Sequence, residues 1–194
     1  MTPPQDTKNR LIEAASELFY TNGFETTNIE QILQRSGISR PTLYVHFASK
    51  DSLLVAALEH QHQQRVASLD RWVHSRAEEP VEQVLSVFDW LANWHETGGW
   101  RGCAFVNAAA EVVLTTHPAR EVIRNHKRWL REYLTQLAAD AGLDQPNSLG
   151  PQLMLLIDGA NARMLVEGDL CAAQDARKAA TVLIQHNTIM EDPA

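Results

Sequence analysis

The sequence predicts an all-α protein of about nine helices. Three observations carry this. Apolar residues recur three and four apart along most of the chain, which is the spacing of one helix face. No stretch shows the period-two alternation of a strand, and there is no internal repeat. Proline, glycine and cap residues punctuate the periodic stretches where helices would begin and end. At 194 residues and 44% apolar content, the chain can bury a core in one compact unit or two small ones.

Met1 to Asp6, with Pro3 and Pro4, reads as an arm. Helix one runs from about Thr7 to Asn22, with Leu11, Ile12, Ala15, Leu18 and Phe19 as its buried stripe and Gly23 as its end. Lys8 and Arg10 read as solvated charges or as contacts to phosphate. Thr27 and Glu30 have capping-box spacing at the start of helix two. Ile29, Ile32 and Leu33 form its apolar stripe, and Gly37 stops it where a left-handed conformation is needed. Ser39 is placed to cap helix three, Pro41 sits in its first turn, and Leu43 and Phe47 bury its back.

Helix four starts at the Ser49 cap and keeps its apolar pattern to Arg76, about 26 residues or roughly 39 Å. Its His60 and His62 lie two apart, on different faces, and read as surface residues. Pro80 opens helix five. Thr97 to Gly102 is a loop, and its glycines follow no strand, so they form no nucleotide fingerprint. A short apolar helix spans Cys103 to about Leu114. Pro118 opens helix seven and Gly142 ends it; Arg120, Arg124, Lys127, Arg128 and Arg131 make its outer side basic. Helix eight runs from near Pro151 to Glu167, and helix nine from about Ala172 to Met190.

Helix eight is apolar over much of its circumference and needs burial on more than one side. Leu153, Leu156, Ile157, Ala160 and Met164, with Leu183 and Asn187 of helix nine, are therefore expected in a homodimer interface built as an intermolecular four-helix bundle.

Helices two and three make a helix-turn-helix, whose second helix enters the DNA major groove. From Gln31 to Lys50 there is no acidic residue, while Arg35, Arg40 and Lys50 supply charge. An ordinary packed pair with a basic edge would share the glycine spacing. It would not account for Thr, Tyr, His and Lys gathered around one short helix.

The run I-S-R-P-T-L-Y-V-H-F-A-S-K-D-S-L-L, Ile38 to Leu54, resembles the signature of TetR-type transcriptional regulators. The resemblance spans about the first 55 residues, and beyond them only length and helical layout agree. It implies an all-helical homodimer with a DNA-binding domain over residues 1–50 and an effector-binding and dimerisation domain over 51–194. Positions matching Arg40, Pro41, Thr42, Tyr44, His46 and Lys50 touch DNA in that family. Thr27 joins them as a candidate. Val45 stands where a larger or more polar residue is common, and meets either a thymine methyl or sugar.

The expected effector is a hydrophobic or cationic small molecule. Phe88, Trp90, Trp94, Trp100, Phe105 and Trp129 would wall its pocket, with Asn107, Glu111 and Asp158 supplying polarity. These aromatics have core packing as their alternative role. Cys103 follows Arg101 and Gly102 at a helix N-terminus that favours thiolate, so it reads either as a sensor of electrophiles or oxidants or as a small packed hydrophobe.

Composition and motifs exclude other classes. Net charge is −7, and residues 1–50 hold five basic and five acidic residues, so the whole excess lies beyond the predicted DNA-binding head. Two cysteines give no disulfide framework. No apolar run approaches the roughly 18 residues of a membrane span, and no signal segment is expected, which points to the cytoplasm. No nucleophile elbow, zinc-protease motif, phosphate loop or Cys-x-x-Cys is present, so no cofactor, metal or catalytic set is expected. The expectation is a ligand-responsive repressor on a near-palindromic double-stranded DNA operator. A helical enzyme and a helical interaction protein are its rivals.

Overall fold

The computed structural model describes the backbone of residues 4–187 and the side chains of 6–187. Among the described residues the elements are α1 (Pro4–Asn22), α2 (Ile29–Ser36), α3 (Arg40–His46), α4 (Lys50–Arg76), α5 (Pro80–Thr97), α6 (Ala104–Glu111), α7 (Ala119–Asp140), α8 (Pro146–Glu167) and α9 (Ala172–His186), with no strand. The all-α expectation is met.

The chain divides into two compact units. The first holds Met1–Arg65 and Ala104–His126, and the second holds Val66–Cys103 and Lys127–Ala194. In the first unit, Leu11, Ala15 and Phe19 of α1 are buried with Ile32 of α2, Leu43 of α3 and Leu53 and Leu54 of α4. Leu11, Ala15 and Phe19 are the part of the predicted α1 stripe that is buried, while Ile12 and Leu18 are half-buried. In the second unit one core cluster joins Leu69, Val73, Phe88, Leu91, Leu134, Leu153, Ile157 and Ile184. Burying a side chain of this size contributes about 1.5–3 kcal/mol.

Several boundaries differ from the sequence reading. Helix α1 starts at Pro4, so Pro4–Asp6 are helical and not an arm; Met1–Pro3 lie outside the described residues. Asn28, not Thr27, caps α2: its side chain accepts the Gln31 N–H at 3.0 Å while the Gln31 side chain accepts the Asn28 N–H at 2.8 Å. Both pairs have the same spacing, and only the backbone geometry separates them. Helix α6 ends at Glu111, short of Leu114. Helix α8 starts at Pro146, its N1 residue, and Pro151 lies inside it. Helix α9 ends at His186; Met190 lies outside the described residues. Ser49 opens α4 as expected, exchanging hydrogen bonds with Ser52 at 3.1 Å in both directions.

Two readings of face are corrected. His62 is not a free surface residue, since its Nδ1 meets Nδ1 of the buried His126 at 3.1 Å. On α8, Leu153, Ile157, Ala160 and Met164 face the chain's own core. The most outward apolar residues are instead Leu155, 71% exposed, and Val166, 80% exposed, with Val182 of α9 at 53%.

Candidate nucleic-acid interface

The site is built on the turn between α2 and α3. Gly37 adopts φ 67°, and its N–H donates to the Leu33 carbonyl, closing α2. A side chain there would strain the left-handed backbone. The guanidinium of Arg10 donates to the Ser36 carbonyl at 2.7 Å, so a residue that the sequence offered as a solvated charge ties α1 to the end of α2. Ser39 caps α3: its hydroxyl accepts the Thr42 N–H and lies 2.7 Å from the Thr42 hydroxyl. Leu43, fully buried, and Phe47, 5% exposed, fix the inner side of α3 against the unit's core.

That packing decides which side chains face out. Arg40, Pro41, Tyr44 and Val45 are exposed, Val45 by 80%. Thr42, His46 and Lys50 are half-buried. An exposed valine and tyrosine on a seven-residue helix are poor in solvent and well suited to thymine methyls and sugar edges. Thr27 is the exception among the expected DNA residues. It is fully buried, and its hydroxyl donates to the Gly23 carbonyl at 2.7 Å and faces the Leu18 carbonyl at 3.2 Å. A side chain so placed has no surface to offer a phosphate or base.

The cations of the head are already engaged. Arg40 pairs with Glu30, and Arg35 forms a two-point pair with Glu17. The Lys50 ammonium sits 4.3 Å from the Phe24 ring centroid and 3.5 Å from the Glu25 carbonyl oxygen. The sequence offered Glu30 as a capping partner of Thr27 and not of Arg40, because it lies one residue before the acid-free run. Asn28 and Gln31, at the start of α2, are polar groups that the charge argument also passed over.

The expected effector residues fall in both units. Phe105, Asn107 and Glu111 belong to the first; Phe88, Trp90, Trp94, Trp100, Cys103, Trp129 and Asp158 belong to the second. Phe105 is buried and stacks on His126 at 3.6 Å. Asn107 and Glu111 line a small cavity with Ser16, Phe19 and Gln61. Glu111 also accepts the Glu25 N–H at 2.8 Å. Phe88 is core and fully buried. Trp90 donates to Ser68 at 3.0 Å, Trp129 stacks on Tyr133 at 5.6 Å, and Asp158 pairs with Lys127. Trp100 is 53% exposed, and Cys103 is half-buried. The sequence reading missed His95, which is 2% exposed with its Nε2 3.2 Å from Asn161 Oδ1.

A family model described as "Bacterial regulatory proteins, tetR family" matches residues 11–57, which span the packed α1, both motif helices and the start of α4. The chain is 29% identical over 157 residues to the HTH-type transcriptional regulator UidR of Escherichia coli K12, covering 78% of this chain and 74% of that one. It is 28% identical over 102 residues to the HTH-type transcriptional activator FasR of Mycolicibacterium smegmatis, over 51% of this chain and 46% of that one. Its fold matches the TetR-family regulator SCO4454 of Streptomyces coelicolor with a TM-score of 0.86 and 26% identity, over 95% and 97% of the two chains. No described helix is long and apolar enough to cross a membrane. Matched at its motif helices by the family model and along nearly its whole length by a TetR-family structure, the chain carries a tetR-family DNA-binding region at residues 11–57 and the fold of a TetR-type transcriptional regulator.

Proposed function

We propose that the protein is a cytoplasmic repressor that binds a near-palindromic operator as a homodimer and leaves it when a small hydrophobic or cationic molecule binds. The observation that carries this reading is the outer face of α3, where Arg40, Pro41, Tyr44 and Val45 stand exposed beside Thr42 and His46. In this reading residues 1–50 meet DNA, and residues 51–194 hold the effector and the dimer contact. Two α3 helices would occupy successive major grooves, about 34–36 Å apart. The effector shifts the equilibrium only by its differential affinity for the two states.

The dimer contact is assigned to the outward side of α8 and α9. Leu155 and Val166 are about seven-tenths and four-fifths exposed there, and Gly159 between them has open space where a side chain would stand. The acidic excess beyond residue 50 turns that part of the chain from phosphate and favours approach by the head.

The test is selection of bound sites from random duplex DNA with the purified full chain. Recovery of inverted half-sites about one helical turn apart supports the reading. Recovery of no enriched sequence at low salt overturns it. A ligand that releases the selected duplex equally from the native chain and from Cys103→Ser supports the pocket. Release that depends on Cys103 and an oxidant assigns the trigger to the thiol.

A further inference from the structure

Glu111 ends α6, and its carboxylate reaches the turn between α1 and α2. Its Oε2 accepts the Glu25 N–H at 2.8 Å. The turn admits it because residue 23 is glycine: a Cβ there would lie 3.0 Å and 3.1 Å from the two carboxylate oxygens, and Gly23 holds φ 98° besides. The other side of the same residue is held as well. The Glu25 carbonyl faces the Lys50 ammonium at 3.5 Å, and that ammonium lies over the Phe24 ring. A second approach follows six residues on, closer in space than in bonding, since His117 Nε2 is buried without a hydrogen-bond partner. His117 Nδ1 accepts the Ala119 N–H at 3.1 Å, which leaves the proton on Nε2, 3.5 Å from Asp51 in the first turn of α4. The His117 ring also meets Phe24 edge-on at 6.5 Å.

The segment from Glu111 to His117 thus bonds the start of the stretch that contains the helix-turn-helix, at Glu25, and lies beside its end, at Asp51. Glu25 lies just before the α2 cap, and Lys50 and Asp51 open α4. We propose that Glu111 is a positioning residue for operator binding: by accepting the Glu25 N–H it fixes the residue whose carbonyl, in the next peptide, faces Lys50, and with it the presentation of α2 and α3. Its side chain touches no DNA and acts through reach and not through charge. This assigns Glu111 a role on the DNA side of the molecule in place of effector binding.

Reach and charge separate cleanly in two substitutions. Glu111→Gln removes the charge and keeps an acceptor at the same distance. Glu111→Asp keeps the charge and falls one methylene short. The proposal rests on the duplex recovered by the selection above, which the unmodified full-length chain must bind. For that duplex, Glu111→Asp and Glu111→Ala are expected to lose about tenfold in affinity, and Glu111→Gln less than about threefold. Affinity for a scrambled duplex of equal length and the salt slope should stay unchanged, since no phosphate contact is removed. Amide exchange at Glu25 should accelerate in the Asp and Ala variants alone. A general loss of folding would instead lower the thermal midpoint and both affinities together. The proposal is overturned if Asp matches the unmodified chain while Gln does not, or if the Glu25 amide stays protected in Glu111→Ala. The exchange measurement needs no DNA, so it decides on the clamp even where the selection recovers nothing.

Discussion

Arg40 shows how a residue role depends on its nearest neighbour. In the free protein its guanidinium pairs with Glu30, one helix away, and both side chains are at least half exposed. Such a pair is worth little to stability. It does matter to binding, because the arginine must leave it to meet a base or phosphate. Glu30→Gln is therefore expected to tighten binding severalfold at low salt, read by titration of the selected duplex. Arg40→Ala should relax preference at one position in each half-site; uniform loss across all sequences would assign it to the backbone instead. Lys50→Ala should lower the salt slope by about one phosphate. Thr27→Val, by contrast, should leave that slope untouched and cost about 1–2 kcal/mol of stability, because it strips the buried carbonyls of Gly23 and Leu18 of a hydroxyl donor. The outer residues of α3 were legible from the motif. The burial of Thr27 was not, since Thr27/Glu30 and Asn28/Gln31 satisfy the same spacing and differ only in backbone conformation.

Helices α4 and α8 mark the reach and the limit of periodicity. The predicted Ser49 cap and Arg76 end of α4 agree with its observed span, because cap, pattern and stop all lie in the local sequence. For α8 the apolar pattern revealed that more than one side needs burial, but not which side meets its own chain. A nearly continuous ring of apolar residues has no phase to read, and only tertiary packing turns Leu153, Ile157 and Ala160 inward and Leu155 and Val166 outward. Two substitutions test the distinction. Leu155→Arg is expected to leave a folded chain that sediments near 21.7 kDa, where the unmodified protein sediments near twice that mass. Ala160→Arg buries a charge in the chain's own core and should unfold it instead, at a cost of about 3–5 kcal/mol. A folded, dimeric Leu155→Arg variant would move the interface off this face.

Across the whole molecule the sequence carried the charge asymmetry and the helical class, because both are sums over many residues. It carried the candidate pocket poorly, because aromatic composition does not say which rings are core. It carried the surroundings of the histidines least of all. His95 and His62 are both held below the usual histidine pKa of 6.5 by burial, and the Asn161 hydrogen bond offsets only part of this at His95. The physical reason is plain at His95: Nε2 already uses Asn161, and Nδ1 is buried with no hydrogen-bond partner, so a second proton would add an unpaired N–H to a desolvated cation. Unfolding exposes both rings, which then bind protons near pH 6.5. Below that pH the unfolded chain holds more protons than the folded one, so stability falls as the solution is acidified, until the folded pKa values are reached. Asp175, held low by Lys178 and Arg163, loses its contribution only as pH falls below 3.8, so it leaves this window undisturbed. The thermal midpoint is therefore expected to drop between about pH 7.5 and pH 5.5. His95→Gln should lower the midpoint at the upper end and flatten its fall, because a neutral amide has nothing to titrate, and His62→Gln should flatten it further. A midpoint that stays level across this range in the unmodified chain would show that the folded protein accepts these protons as readily as water does.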